Sequence, residues 1–122
     1  MAKILLIDDD ELVRYSLTRV LQGPGHEVVQ APDGVEGLRL FRSAPPALVI
    51  TDIVMPEQDG LGLISEIRKL DKRVPILVMS GGGDKLGTDF LVLAQLMGAN
   101  AILAKPFDNA VLLGKIASLL QV

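Results

Sequence analysis

Five side chains of this sequence have types and positions that could do chemistry together. They are Asp8, Asp9, Asp52, Ser80 and Lys105, and they stand at the ends of short apolar runs. Three carboxylates brought close together repel one another, so some would become protonated unless a cation neutralised them. Carboxylate oxygens are hard ligands, which suit Mg²⁺ (or Mn²⁺) rather than zinc. The sequence therefore predicts a divalent-cation site if these residues converge.

Asp52 lies in the stretch V-I-T-D-I-V-M-P, with apolar residues on both sides of the acid. Burying an unpaired carboxylate is costly, so a compensating cation and a function are expected there. Ser80 can donate a hydrogen bond and Lys105 supplies a compact positive charge, as phosphate recognition often requires. Beside a metal ion, such a carboxylate could attack phosphorus and form an aspartyl phosphate. The apolar residues that follow Asp52 favour a functional role for this acid over that of a turn cap.

Taken one at a time, most of these acids and their neighbours also have a structural interpretation. Asp10 and Glu11 are expected to be the N-cap and first-turn acid of a helix, and Asp8 or Asp9 alone could act in the same way. Ser80, which precedes three glycines, is typical of a loop, and an isolated lysine such as Lys105 is usually solvated. The functional interpretation rests on the combination, because all the structural interpretations would have to hold at once.

Short aliphatic runs alternate with longer amphipathic segments along the chain, which predicts five strands and five helices. The strands are predicted at residues 4–7, 27–30, 47–51, 75–79 and 101–104. Gly23-Pro24-Gly25 is expected to end the first helix, and Asp33-Gly34 to begin the second. The fourth helix is predicted over about residues 87–97 with Gly98 at its end, and Asp108 is expected to cap the last.

This alternation predicts an α/β fold, (βα)5, with a doubly wound parallel sheet and helices on both faces. In such sheets, ligands bind beyond the carboxyl ends of the strands. The five candidate residues all follow predicted strands, so they are expected at that one edge.

Composition excludes several classes of function. The chain has 122 residues, 49% of them hydrophobic and 22% charged, which is typical of one globular domain. There is no cysteine, and His26 is the single histidine, so disulfides, thiolate metal sites and histidine-rich metal sites are excluded. The net charge of −3 without a basic block gives no indication of a nucleic-acid partner. No apolar run approaches a signal peptide or membrane span, so a cytoplasmic protein is expected.

Together these residues resemble the receiver domain of two-component response regulators, and the resemblance covers essentially the whole chain. The matching motifs are Asp8-Asp9, Asp52 with Met55-Pro56 and Asp59-Gly60, Ser80, Gly98-Ala99, and Lys105-Pro106-Phe107. The resemblance implies the strand order 2-1-3-4-5 and one receiver domain over residues 1–122, with no output domain in the chain. It also implies a signalling domain whose only chemistry is its own phosphorylation and dephosphorylation.

By the same resemblance, Asp52 would accept a phosphoryl group from a histidine kinase, a phosphotransfer protein or a small phosphodonor. Asp9 and Asp52 would hold Mg²⁺ with the backbone carbonyl of Val54, and Asp8 would act through a metal-bound water. Ser80 and Lys105 would contact the phosphoryl oxygens, and the Lys105-Pro106 peptide bond would be cis.

Phosphorylation would draw Ser80 inward and shift a two-state equilibrium at the face made by helix 4, strand 5 and helix 5. A downstream protein or a missing C-terminal output domain would read that face, and the domain would be a monomer or a phosphorylation-dependent dimer. The sequence departs from the family at Ile102, a switch position that is commonly Tyr or Phe. Gly81–Gly83 and a long segment before Lys105 also predict a flexible or displaced start of helix 4.

Three alternatives belong to other classes of protein. A pseudo-receiver would act by docking alone, without phosphorylation. A haloacid-dehalogenase-type phosphatase would also use an aspartate with Mg²⁺, but it requires a second acid where this chain has Val54. A flavodoxin-like redox protein requires a phosphate-binding loop after strand 1, and Asp8-Asp9-Asp10 would repel a flavin phosphate.

Overall fold

The computed structural model describes residues 2–52, 60–80, 92 and 94–120. Its strands are β1 (Lys3–Ile7), β2 (Glu27–Ala31), β3 (Leu48–Asp52), β4 (Ile76–Ser80) and β5 (Ala101–Ala104). Its helices are α1 (Glu11–Gln22), α2 (Gly34–Ser43), α3 (Gly60–Leu70), α4, described at Val92 and residues 94–97, and α5 (Asn109–Leu120). Strands and helices therefore alternate along the chain, as the apolar pattern predicts.

The five strands form one sheet in the order β2-β1-β3-β4-β5, and every neighbouring pair is parallel. This confirms the predicted fold class and strand order. In the register of the sheet, Ile7 pairs with Thr51, Asp52 with Met79, and Ser80 with Ala104. The carboxyl ends of β1, β3, β4 and β5 consequently lie side by side at one edge.

Alternate residues of each strand face opposite sides of the sheet, which produces two hydrophobic clusters. On one side, Leu5 and Ile7 of β1 pack in a cluster with Phe41 of α2 and Leu63 of α3. On the other side, residues of the same strands pack against α1 and α5, and this cluster includes Ile4, Leu6, Leu17, Leu21, Leu112 and Ile116. Helices therefore cover both faces, which is why β3 and β4 are almost wholly buried.

Acidic caps begin the helices where the sequence predicts them. The side chain of Asp10 accepts hydrogen bonds from the backbone amides of Leu12 and Val13, and that of Asp33 accepts one from Glu36. At the end of α4, Gly98 has φ of +124°, a conformation that favours glycine. The observed strand limits differ from the predicted ones by at most one residue. β3 and β4 each begin and end one residue later, β1 begins one residue earlier, and β2 ends one residue later.

Only one of the two apolar stripes of α1 faces the core. Leu12 and Tyr15 are exposed, whereas Leu17 and Leu21 lie in the core. Apolar residues occur on two stripes of this helix, and helical spacing alone does not identify the stripe that meets the sheet. The expectation about Gly81–Gly83 and the start of α4 lies outside the described residues. Within the part of the chain that is described, no helix is long and apolar enough to cross a membrane.

Candidate functional site

Three carboxylates meet at the carboxyl edge of the sheet. Asp8 and Asp9 directly follow β1, and Asp52 is the last residue of β3, the strand next to β1. One carboxylate oxygen from each of the three residues lies within 4.8 Å of the other two. The cluster forms because Ile7 pairs with Thr51 in the sheet, so the acids that follow these two residues, Asp8 and Asp52, become neighbours.

Asp8 is buried and is bonded through its backbone and its side chain. Its amide donates to the carbonyl oxygen of Ala31 at 3.1 Å, and its Oδ1 accepts from the amide of Asp10 at 2.8 Å. Burial raises the pKa of the Asp8 carboxyl, and the neighbouring carboxylates add to this effect. The Asp10 hydrogen bond and the charge of Lys105 act in the opposite direction. Ionising the Asp8 carboxyl therefore costs more in the folded protein than in the unfolded chain.

Lys105 lies between two of the carboxylates. Its Nζ is 3.5 Å from Oδ2 of Asp8 and 3.4 Å from Oδ2 of Asp52, and its side chain is only 26% exposed. The Lys105 amide donates to the carbonyl oxygen of Ser80 at 2.6 Å, which joins the end of β5 to that of β4. The Lys105-Pro106 peptide bond is cis, as the resemblance implies.

Ser80 ends β4 beside Lys105, and its hydroxyl is buried. The Oγ atom has no hydrogen-bond partner among the described residues. A buried hydroxyl without a partner costs on the order of 1–3 kcal/mol. Such a group is therefore available to an incoming acceptor oxygen.

The residues present fit a hard divalent cation. The three carboxylates supply oxygen ligands, and Asp9 is exposed, which leaves room for the water molecules that Mg²⁺ retains. Neither of the softer ligands, cysteine and a second histidine, exists in the chain. The fourth predicted ligand, the carbonyl of Val54, lies outside the described residues.

Ile102 lies on β5, three residues before Lys105. It pairs with Val78 in the sheet and its half-buried side chain packs against the cluster that contains Ala94 and Ala99.

Two arginines that contact the backbone near functional elements were not anticipated from the sequence. Nη1 of Arg14 donates to the carbonyl oxygen of Asp8 at 2.6 Å. Helical side chains point toward the helix N-terminus. An arginine in the first turns of a helix that follows an acidic loop could therefore have indicated a contact with that loop. Arg68 donates to the carbonyl oxygens of Gly98 and Val74 and to Oδ1 of Asn100. No local pattern indicates such long-range contacts.

A doubly wound five-stranded sheet with clustered carboxylates and a lysine at its carboxyl edge defines a receiver-like α/β domain. The family model for the response regulator receiver domain matches residues 4–117, and the chain belongs to that family. It is thus a response regulator receiver domain of the kind used in two-component systems.

Relatives and solved structures agree with this assignment. The transcriptional regulatory protein CseB of Streptomyces coelicolor is 33% identical over 118 residues, which are 97% of this chain and 49% of CseB. A response regulator receiver domain protein from Clostridium thermocellum is 33% identical with a TM-score of 0.91, over 98% of this chain and 94% of that one. The chemotaxis protein CheY4 of Vibrio cholerae is 30% identical with a TM-score of 0.88, over 98% of both chains. The chain spans about half the length of the curated relatives it matches.

Proposed function

We propose that this domain accepts a phosphoryl group on Asp52 and transmits its phosphorylation state to a partner protein. The observation that carries the proposal is the position of Asp52, whose carboxylate lies 3.4 Å from Nζ of Lys105 and within 4.8 Å of two further carboxylates. A carboxylate held in this way has the neighbours that phosphoryl transfer requires. The donor would be a phosphohistidine of a histidine kinase or phosphotransfer protein, or a small phosphodonor.

Each residue has a distinct role in the proposed reaction. An oxygen of Asp52 forms the new bond to phosphorus while the bond from phosphorus to the donor breaks, and the electron pair of that bond leaves with the donor: on the nitrogen of a phosphohistidine or phosphoramidate, or on the oxygen of acetyl phosphate, which departs as acetate. Lys105 offsets negative charge on the transferred oxygens, and the buried hydroxyl of Ser80 donates a hydrogen bond to one of them. Asp8 keeps Lys105 near the reacting carboxylate through their 3.5 Å contact.

The same carboxylates would hold the cation. Asp9 and Asp52, with the carbonyl of Val54, would bind Mg²⁺ (or Mn²⁺), and Asp8 would act through a bound water. When bound, the ion neutralises charge on the phosphoryl oxygens and on the clustered acids. Asp9 remains accessible from solvent, so the site is open to an ion that arrives from solution.

The proposed signal passes through β5. Lys105 follows this strand, and Ile102 lies within it against the core cluster next to α4. A shift of Lys105 and Ser80 on phosphorylation would repack Ile102 and change the α4–β5–α5 face. The signal would be recognised by a downstream protein or a C-terminal output domain, and the domain itself would be a monomer or a phosphorylation-dependent dimer.

The test is incubation with Mg²⁺ and acetyl phosphate or phosphoramidate, followed by intact-mass measurement. Wild type should gain one phosphoryl group, Asp52→Asn should gain none, and Asp33→Asn, which removes the same charge at a helix cap, should behave as wild type. Absence of labelling on wild type, or equal labelling of Asp52→Asn, would contradict the proposal.

A second measurement concerns the readout. Beryllofluoride with Mg²⁺ should shift the NMR resonances of Ile102 and of α4 in wild type but not in Asp52→Asn. An unchanged α4–β5–α5 face would favour a docking module that works without phosphorylation.

A further inference from the structure

Arg14 lies on α1, outside the acid cluster, but its side chain reaches the loop that carries two of the acids. Nη1 of Arg14 donates to the carbonyl oxygen of Asp8 at 2.6 Å, and the arginine is half-buried. Its own backbone amide donates to the carbonyl of Asp10, which is a regular helical bond. The arginine therefore folds back from the second turn of α1 over the β1–α1 loop.

The loop from Asp8 to Asp10 is held at several points, and each bond restrains a different group. The Asp8 amide is bound to Ala31, and the Asp8 carboxylate accepts from the Asp10 amide. The Asp10 side chain caps α1. The carbonyl oxygen of Asp8 is restrained by the hydrogen bond that it accepts from Arg14.

That carbonyl belongs to the same planar unit as the amide of Asp9. A trans peptide group is rigid, so the direction of the Asp8 carbonyl also sets the direction in which the chain enters Asp9. Asp9 is exposed and is not fixed by burial in the way Asp8 is. The orientation of the Asp9 carboxylate toward Asp52 thus depends on the peptide unit that Arg14 holds.

We propose that Arg14 is a positioning residue that fixes the Asp8–Asp9 peptide unit, so that Asp9 and Asp52 present their carboxylates together to the divalent cation. The inference rests on the proposed function, because it concerns the same cation site. Arg14 does not touch the cation or the phosphoryl group. Its contribution is the orientation of a ligand, the kind of outer contact whose loss commonly weakens metal affinity about 10-fold to 100-fold.

The test compares Mg²⁺ affinity in Arg14→Met and Arg19→Met by NMR titration of the β1–α1 amides without any phosphodonor. Both changes remove one positive charge from α1, but Arg19 is exposed and contacts Tyr15 rather than the acid loop. We expect the Mg²⁺ dissociation constant to rise about tenfold in Arg14→Met and to stay close to wild type in Arg19→Met.

The sign of the effect separates positioning from charge. Removing a cation near three carboxylates should by electrostatics alone tighten Mg²⁺ binding, whereas loss of positioning should weaken it. Equal or tighter binding by Arg14→Met would overturn the proposal. Thermal unfolding in metal-free buffer checks that Arg14→Met is folded. If Arg14→Met is not folded, Arg14→Gln takes its place, and its Mg²⁺ dissociation constant is expected to rise in the same way.

The two proposals fail in different ways. If wild type binds Mg²⁺ and accepts the phosphoryl group while Arg14→Met has wild-type affinity, only the role of Arg14 is wrong. If wild type itself does not bind Mg²⁺, the proposed function falls and the role of Arg14 falls with it.

Discussion

Asp8 and Ser80 are buried polar groups that cost the folded protein free energy at the site. Asp8 is an ionisable carboxyl without solvent exposure, and the Ser80 hydroxyl has no partner among the described residues. Groups of this kind are retained where function uses them, and both can be tested by substitution. In each case a change that harms the site is expected to stabilise the unliganded fold.

The pH dependence of stability should report the burial of Asp8. Because its pKa is raised above the ordinary 3.8, the folded state binds the proton more tightly than the unfolded chain. The resulting stabilisation is complete below the ordinary pKa and is lost as the pH rises through the raised one. In urea unfolding without metal, Asp8→Asn should therefore be more stable than wild type at neutral pH, and this advantage should shrink in acid.

Asp33→Asn is the matched control for Asp8, because asparagine and aspartate are equally good helix caps. It should not be more stable than wild type at neutral pH. A lower stability of Asp8→Asn than of wild type at neutral pH would mean that the contacts of the Asp8 carboxylate outweigh its desolvation.

Ser80→Ala should separate stability from function. Removing the unpartnered hydroxyl is expected to raise the free energy of unfolding by about 1 kcal/mol. Phosphorylation by acetyl phosphate should slow about tenfold, because a hydrogen bond to a charged oxygen contributes about 1.5 kcal/mol. Thr18→Val removes another buried hydroxyl without a partner among the described residues, so it should raise stability and leave the phosphorylation rate unchanged.

At the scale of elements, strands are more predictable than helix faces. Strand limits follow from aliphatic runs that end at polar residues. Every predicted strand limit therefore agrees with the structure to within one residue. The exposed position of Leu12 was not predictable, because α1 has two apolar stripes and only the tertiary structure selects one. The convergence of Asp8 and Asp52 was predictable, since it requires only that neighbouring parallel strands end at one edge.

Arg68 joins three elements through backbone acceptors. It connects the end of α3 to Val74 before β4 and to Gly98 after α4, and the side chain fills the space where a Cβ at residue 98 would lie. Contacts with such a large separation in sequence leave no local pattern. This is why the sequence gives no indication of the role of Arg68.

Arg68→Met should destabilise the fold by about 2 kcal/mol, because buried carbonyl oxygens lose their donors. Hydrogen exchange should accelerate most at Gly98 and Asn100. Lys69→Met is the matched control, since that lysine is exposed and pairs only weakly with Glu66, and it should change stability by less than about 0.5 kcal/mol. Equal effects of the two variants would show that the Arg68 contacts add little.

At the scale of the molecule, a single parallel sheet with a core on each face should unfold as one unit. A cation that binds only the folded state then stabilises the whole molecule, by about 2.7 kcal/mol at a hundred times its dissociation constant. For a domain of this size, the thermal midpoint of wild type should rise by roughly 10 °C. Asp9→Asn should lose most of this rise and Asp33→Asn should keep it, as calorimetry with and without Mg²⁺ would measure.

The strand order itself could not be obtained from hydrophobic periodicity. Alternating strands and helices predict a parallel sheet, but they are compatible with several orders of the strands. The order β2-β1-β3-β4-β5 was implied by the resemblance to a known family and is confirmed by the pairing of β1 with both β2 and β3.

The hydrogen bond between the Lys105 amide and the Ser80 carbonyl has a consequence for the coupling between the acid cluster and the surface that includes β5. It ties the end of β5 to the residue whose hydroxyl would meet the phosphoryl group. Coupling between two binding events is reciprocal, so each event changes the affinity of the other by the same factor. If Asp52 is phosphorylated as proposed, a partner that favours one position of β5 would also change the stability of the phosphorylated site, so the protein that responds to the signal would also influence it.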